Sequence, residues 1–184
     1  MVLVAYDFVG TFLADGCCEE RACTTRRGFT ACLRRQKELG WAAVLFSDLD
    51  RADEDDILAR TGLEGAFAAS FARDSLDSEG LPALSLLPRR HAWTVFVSGM
   101  ATGPKAAEKY GISSVRVPRH ESGEDAFDFG LVEELLEALA LDKFAEYAAL
   151  HSLKESRPEL HAREYADSGM WVRVTPERFA AQFY

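Results

Sequence analysis

A chain of 184 residues that is 48% apolar and 28% charged holds enough material for one domain with its own core, or for a domain plus a small appendage. Its formal charge of −9 argues against a general affinity for nucleic acid or an anionic membrane, yet leaves room for a local pocket that takes a small phosphorylated ligand. No run approaches the ~20 apolar residues of a membrane span and no basic, apolar leader opens the chain, so the reading is a soluble, cytoplasmic protein with neither membrane nor nucleic acid as partner.

Val2-Leu3-Val4-Ala5-Tyr6 predicts a strand buried on both faces of a sheet, and it ends in Asp7, with Gly10 and Thr11 close behind. Residues 12–25 read as a loop that carries Cys17, Cys18 and Cys23. Together with Cys32 these lack the paired spacing of a structural zinc site, and in a reducing compartment they are free thiols, small hydrophobes or exposed loop residues. Residues 26–39 predict a helix with Phe29, Cys32, Leu33 and Gln36 on one side, closed by Gly40. Trp41 to Phe46 is a second apolar run, ending in Ser47-Asp48. A strand, a helix and a strand on short connections predict a parallel, right-handed unit. Asp48, Asp50, Asp53, Glu54, Asp55 and Asp56 crowd around the start of a helix expected over 53–60, where its dipole favours acids; their spacing does not fit a calcium loop.

Residues 66–72 predict a weaker strand, and 73–90 a short helix or an irregular cover. Trp93 to Val97 is a clear strand that ends in Ser98-Gly99. Gly103-Pro104 opens a helix to Tyr110, and Ser113 to Val117 is a short β-branched strand. Gly130 to Ala140 is an amphipathic helix with Leu131, Leu135, Leu136 and Leu139 on one side. Residues 142–154 read as a further helix or bend, 156–169 as a polar segment, 170–174 as a small strand and 175–184 as a last helical turn. The organisation expected is an α/β domain over 1–141 and a C-terminal helical and strand extension over 142–184 packed on it. Trp171, Phe179, Phe183 and Tyr184 in that extension serve either as core or as a surface for a protein partner, a second copy included.

Three predicted strands thus end in polar, small or acidic residues: Asp7 with Gly10 and Thr11, Ser47 with Asp48, and Ser98 with Gly99. In a parallel sheet these ends gather on one edge, where open α/β folds bind their ligands. The order of these motifs resembles the haloacid dehalogenase-like (HAD) superfamily over roughly residues 2–140, carried mostly by DFVGT and VFVSGMATGPKAAEKYGISSVRV. The resemblance implies a three-layer, Rossmann-like, doubly wound and mostly parallel sheet. It implies Asp7 as a nucleophile that forms an aspartyl intermediate, with Thr11 and Ser47 as the other catalytic residues and Ser47 hydrogen-bonding the transferred group. It implies Mg²⁺ held by Asp7 and the carbonyl of Val9. Ser47, Asp48, Ser98, Gly99 and Lys105 are the expected substrate-binding residues.

The departures from the family pattern matter as much. Its phosphatases carry a second Asp two residues after the nucleophile as general acid and base. Here that residue is Val9, which moves no proton, and loss of a general acid costs about 10²–10⁴ in rate. The late strand leads the family into one or two metal-binding carboxylates, whereas residues 98–103 hold none. Arg73, Arg89, Arg90 and Lys105 are candidates for the family's phosphate-neutralising Lys. The short interval between Asp7 and Ser47 leaves no room for the helical cap of the dehalogenases. Two readings follow. One is a HAD-like domain whose phosphohydrolase chemistry is impaired or lost, kept as a binding or scaffold module. The other is a small, capless Mg²⁺-dependent phosphatase that uses Asp7 and draws metal ligands from Asp48 or Asp50.

Overall fold

Strands buried on both faces need apolar side chains at every position, and the apolar runs form the middle of a single mixed sheet. The structure, a computed structural model, describes residues 2–14, 24–73, 76–77, 83–87, 93–120, 127–141, 143, 146, 154–157, 162–164 and 170–173. β1 (Val2–Asp7), β2 (Ala42–Phe46), β3 (Ala69–Phe71), β4 (Trp93–Ser98) and β5 (Ser113–Arg116) run parallel in the order β3-β2-β1-β4-β5. Beyond β5 the sheet continues antiparallel through β8 (Trp171–Arg173) and β7 (Ala162–Glu164) to β6 (Lys154–Arg157).

Alternation along the central strands sorts the core into two halves. Val4 and Tyr6 of β1, Ala43 and Leu45 of β2, and Val95 and Val97 of β4 face the larger one. There they meet α1 (Phe29–Glu38), Ile57 of α2 (Arg51–Thr61), and α4 (Gly130–Ala140). Leu3, Ala5, Val44, Phe46 and Phe96 face the smaller half, under Ala106 and Ala107 of α3 (Gly103–Lys109) and the 3₁₀ turn Leu84–Leu86. Helices on both faces of a mostly parallel sheet make a three-layer, doubly wound α/β fold of Rossmann type. Among the described residues no helix is long and apolar enough to cross a membrane.

Several boundaries differ from the sequence reading for identifiable reasons. α1 buries Phe29, Cys32, Leu33 and Gln36 as its periodicity predicts, but starts after Gly28, whose φ of 78° stops the helix reaching back to Arg26. α2 starts two residues early, at Arg51, behind Asp50 as N-cap. β3 is shorter than the expected 66–72. β6 and β7 lie in a stretch read as polar or helical; β7 takes its register from main-chain pairing with β8, and β6 from pairing with β7, which leaves no apolar signature in the sequence. Cys17, Cys18, Cys23, Arg89, Arg90, Phe179, Phe183, Tyr184 and the Trp171 side chain lie outside the described residues, as does most of the helix expected over 142–154.

Candidate functional site

The winding direction of the chain reverses between β1 and β4, so a crevice opens beyond their C-terminal ends. Asp7 and Ser98 are the last residues of those two strands. The Ser98 hydroxyl, itself buried, donates to Asp7 Oδ2 at 2.8 Å. The Phe8 backbone N–H donates to the other carboxylate oxygen, Oδ1, at 3.2 Å. Met100 N–H in turn donates to Ser98 Oγ at 3.0 Å, and the longer reach of that hydroxyl to the Met100 carbonyl, 3.4 Å, leaves Asp7 as its nearer acceptor.

The loop after β1 is held as firmly. Gly10 adopts a φ of 73°, open to glycine at little cost, and its N–H donates to the Leu13 carbonyl at 2.8 Å. Thr11 is fully buried, and its Oγ1 accepts the Gly99 N–H at 2.8 Å. The His120 N–H donates to the Gly10 carbonyl at 2.7 Å. Arg26 is also buried. One guanidinium nitrogen donates to the Thr11 carbonyl and to the Pro118 carbonyl, both at 2.8 Å, and the group sits 4.9 Å from the Phe127 ring centroid. Arg26 and His120 therefore tie the loop after β5 to the loop after β1. Neither had a signal in the sequence, because an Arg at the start of a predicted helix and a His in a polar loop read as surface residues.

The expected site residues fall into two groups. Asp7, Thr11, Ser98 and Gly99 come together at the crevice. Ser47 is buried at the end of β2, but its Oγ accepts the Leu49 N–H at 3.1 Å and serves the turn that follows. Asp48 is exposed on that turn, and its negative charge reaches Asp7. Val9, half-buried, packs its side chain against the larger core. Lys105 is exposed on α3 and, among the described residues, makes no ion pair with Asp7. Arg73 is exposed beyond β3; its Nε donates to the Asp48 carbonyl at 2.7 Å, and with Asp50, Arg51 and Ala72 it lines a shallow cleft of ≈ 220 Å³.

Loss of water around Asp7 pushes its carboxyl up to about 6, with the Asp48 charge adding to the rise and the Ser98 and Phe8 bonds opposing it. Between its ordinary value of 3.8 and about 6, the folded protein keeps a proton that the unfolded chain has lost, so stability falls as pH rises through this window. Asp7→Asn removes that fall. Urea unfolding from pH 4 to 7 is expected to show the wild type losing on the order of 2–3 kcal/mol relative to Asp7→Asn, with no further divergence above pH 7.

The Mg²⁺ that the resemblance implies does not match the donors at the crevice. A cation of this kind needs near-octahedral oxygen ligands at about 2.0–2.1 Å. Asp7 is met by a neutral hydroxyl that donates to it. A Cβ built on Gly99 would lie 1.9 Å from the Gly10 carbonyl oxygen, and one on Gly103 2.3 Å from Ser98 Cβ and Oγ, so neither position has room for a ligand side chain. Among the described residues no group of three or more His, Cys, Asp or Glu side chains is disposed to hold a metal ion.

What the fold and crevice define is a doubly wound α/β domain with one carboxylate at its topological switch point. No family model matches the chain, and no curated protein matches it. Among solved structures, one assigned as a β-phosphoglucomutase from Thermotoga maritima aligns at a TM-score of 0.49 and 13% identity, over 61% of this chain and 82% of that one.

Proposed function

We propose that this chain is a HAD-like binding module whose phosphohydrolase chemistry is impaired, and that it takes a small anionic ligand, of which a phosphorylated metabolite is the type, at the C-terminal edge of its sheet. The observation that carries this reading is the state of Asp7. Both its oxygens accept hydrogen bonds from the chain itself, and the residue two positions on, where a proton carrier would be needed, is Val9 packed against the core. A nucleophile without a proton carrier beside it loses about 10²–10⁴ in rate.

The cleft between the ends of β2 and β3 supports the ligand class. Arg73 is anchored by Nε on the Asp48 carbonyl and stands 3.6 Å by another nitrogen from the Asp50 carboxylate, and Arg51 is anchored by one nitrogen on the Ser70 carbonyl and another on Glu54. Each guanidinium carries five N–H donors, more than these anchors use, so both retain capacity for a carboxylate or phosphate oxygen.

The test is turnover. Wild type and Asp7→Asn would be assayed with Mg²⁺ on aryl phosphates and a panel of phosphorylated metabolites. Equal, near-background rates are expected, together with thermal stabilisation by a subset of the panel that Arg73→Ala weakens about tenfold in affinity. Turnover that disappears in Asp7→Asn sinks this reading in favour of the capless hydrolase. The place of Asp7 at the switch point favours that alternative.

A further inference from the structure

The ends of β1 and β4 are joined by contacts that the chain itself supplies. Three of them, and one more from the loop after β5, are on hand. Ser98 Oγ donates to Asp7 Oδ2 at 2.8 Å, Gly99 N–H donates to Thr11 Oγ1 at 2.8 Å, His120 N–H donates to the Gly10 carbonyl at 2.7 Å, and the backbones of residues 10 and 99 approach so closely that a Cβ on 99 would stand 1.9 Å from the Gly10 oxygen and 2.8 Å from its carbonyl carbon. Thr11, Ser98 and His120 are all buried. Gly103 completes the arrangement from α3, because any side chain there would enter the space of the Ser98 hydroxyl.

We propose that the hydroxyls of Thr11 and Ser98 form a latch that joins the ends of β1 and β4 without a divalent cation, in the position where the resembled family bridges those ends through Mg²⁺. The proposal deepens the binding-module reading and rests on it for the identity of the crevice. Its physical basis is charge. Carboxylates on adjacent strand ends repel each other unless a cation lies between them. One carboxylate facing one hydroxyl donor has no such repulsion between β1 and β4, although the Asp48 charge beyond β2 still acts on Asp7. A neutral latch therefore holds the loops at any metal concentration, and the closely packed glycines bar the substitution that would restore a metal ligand at 99.

Thermal unfolding of the full chain in EDTA and in excess Mg²⁺ tests this. Wild type is expected to melt at the same temperature in both buffers, within about 1 °C. Thr11→Val, which keeps the shape and removes the acceptor for Gly99 N–H, is expected to melt about 3–9 °C lower in both buffers alike. Ser98→Asp places a second carboxylate against Asp7. It is expected to lose stability in EDTA and to regain several degrees in Mg²⁺, turning the latch into a metal bridge. Gly99→Asp is expected to be destabilised equally in both buffers, since its clash is with backbone.

A wild-type melting temperature that rises several degrees in Mg²⁺ overturns the proposal, and so does Thr11→Val melting like wild type. Should Ser98→Asp fold in neither buffer, the wild-type and Thr11→Val comparison decides alone. A folded Ser98→Asp that ignores Mg²⁺ also counts against the latch. The two readings fail separately. Phosphate-ester turnover that Asp7→Asn abolishes, with a wild-type melt indifferent to Mg²⁺, removes the binding-module reading and leaves the latch; a Mg²⁺-raised melt without turnover does the reverse.

Discussion

Arg26→Met is expected to lower the unfolding free energy by about 3–5 kcal/mol, and the melting temperature by roughly 10 °C. The methionine keeps a long apolar stem against Phe127 and removes only the guanidinium. What it leaves behind are two carbonyls, of Thr11 and Pro118, that had shared one charged donor at 2.8 Å each. Hydrogen bonds to a charged group contribute about 1.5–3 kcal/mol apiece, and burying an acceptor without its donor adds its own cost. Arg26→Lys is expected to recover less than half of the loss, because one flexible ammonium does not reproduce a planar fork held over an aromatic ring. Urea unfolding at constant m-value reads both numbers. A loss under about 1 kcal/mol for Arg26→Met would show that solvent or neighbouring groups satisfy the two carbonyls as well as the arginine does.

The centre of the fold was legible because its signals are local. Runs such as Val2 to Tyr6 and Trp93 to Val97 are apolar throughout, as a strand covered on both faces requires, and each ends in a polar residue where the sheet stops. The α1 face was legible down to Gln36, a polar residue on the apolar side, because helical periodicity places it there whatever its chemistry. Gln36 is accommodated by a hydrogen bond to the buried Tyr6 hydroxyl.

Convergence of Asp7, Thr11, Ser98 and Gly99 was legible from parallel topology; the use made of them was not. Whether Ser98 donates to Asp7 or to a ligand depends on the register of β4 against β1 and on the rotamer of the hydroxyl. Whether Gly99 is a gap or a close approach depends on where residue 10 lies. Arg26 and His120 stayed hidden for a related reason, since their partners are main-chain atoms distant in sequence, which any residue type supplies. β6 and β7 were missed because antiparallel pairing at the sheet's outer end rests on backbone bonds rather than on side-chain pattern.

Phe12→Ala is expected to cost about 3–5 kcal/mol, as truncation of a fully buried aromatic does, although Phe12 belongs to a loop rather than to a strand or helix. Its ring stacks on Phe29 of α1 with centroids 3.9 Å apart and an interplanar angle of 4°, and it lies 5.3 Å from Phe8, 6.0 Å from Phe67 and 6.4 Å from Tyr6. Its carbonyl accepts the Arg26 N–H at 2.8 Å. The loop after β1 is thus held from below by an aromatic cluster and from the side by a buried cation. Phe12→Leu, which keeps apolar volume but loses the ring face, is expected to lose clearly less than the alanine variant. A double-mutant cycle of Phe12→Ala with Phe29→Ala is expected to give a coupling of about 0.5–1.5 kcal/mol. The cycle of Phe12→Ala with Arg26→Met is the more telling one. If the loop moves as a unit, releasing it from either side already forfeits what the other side supplies, and the double variant loses less than the sum of the two single losses. Strict additivity in equilibrium unfolding would mean that core and cation act on separate parts of the loop, and would cut the link between the aromatic cluster and the position of Thr11 beside Gly99.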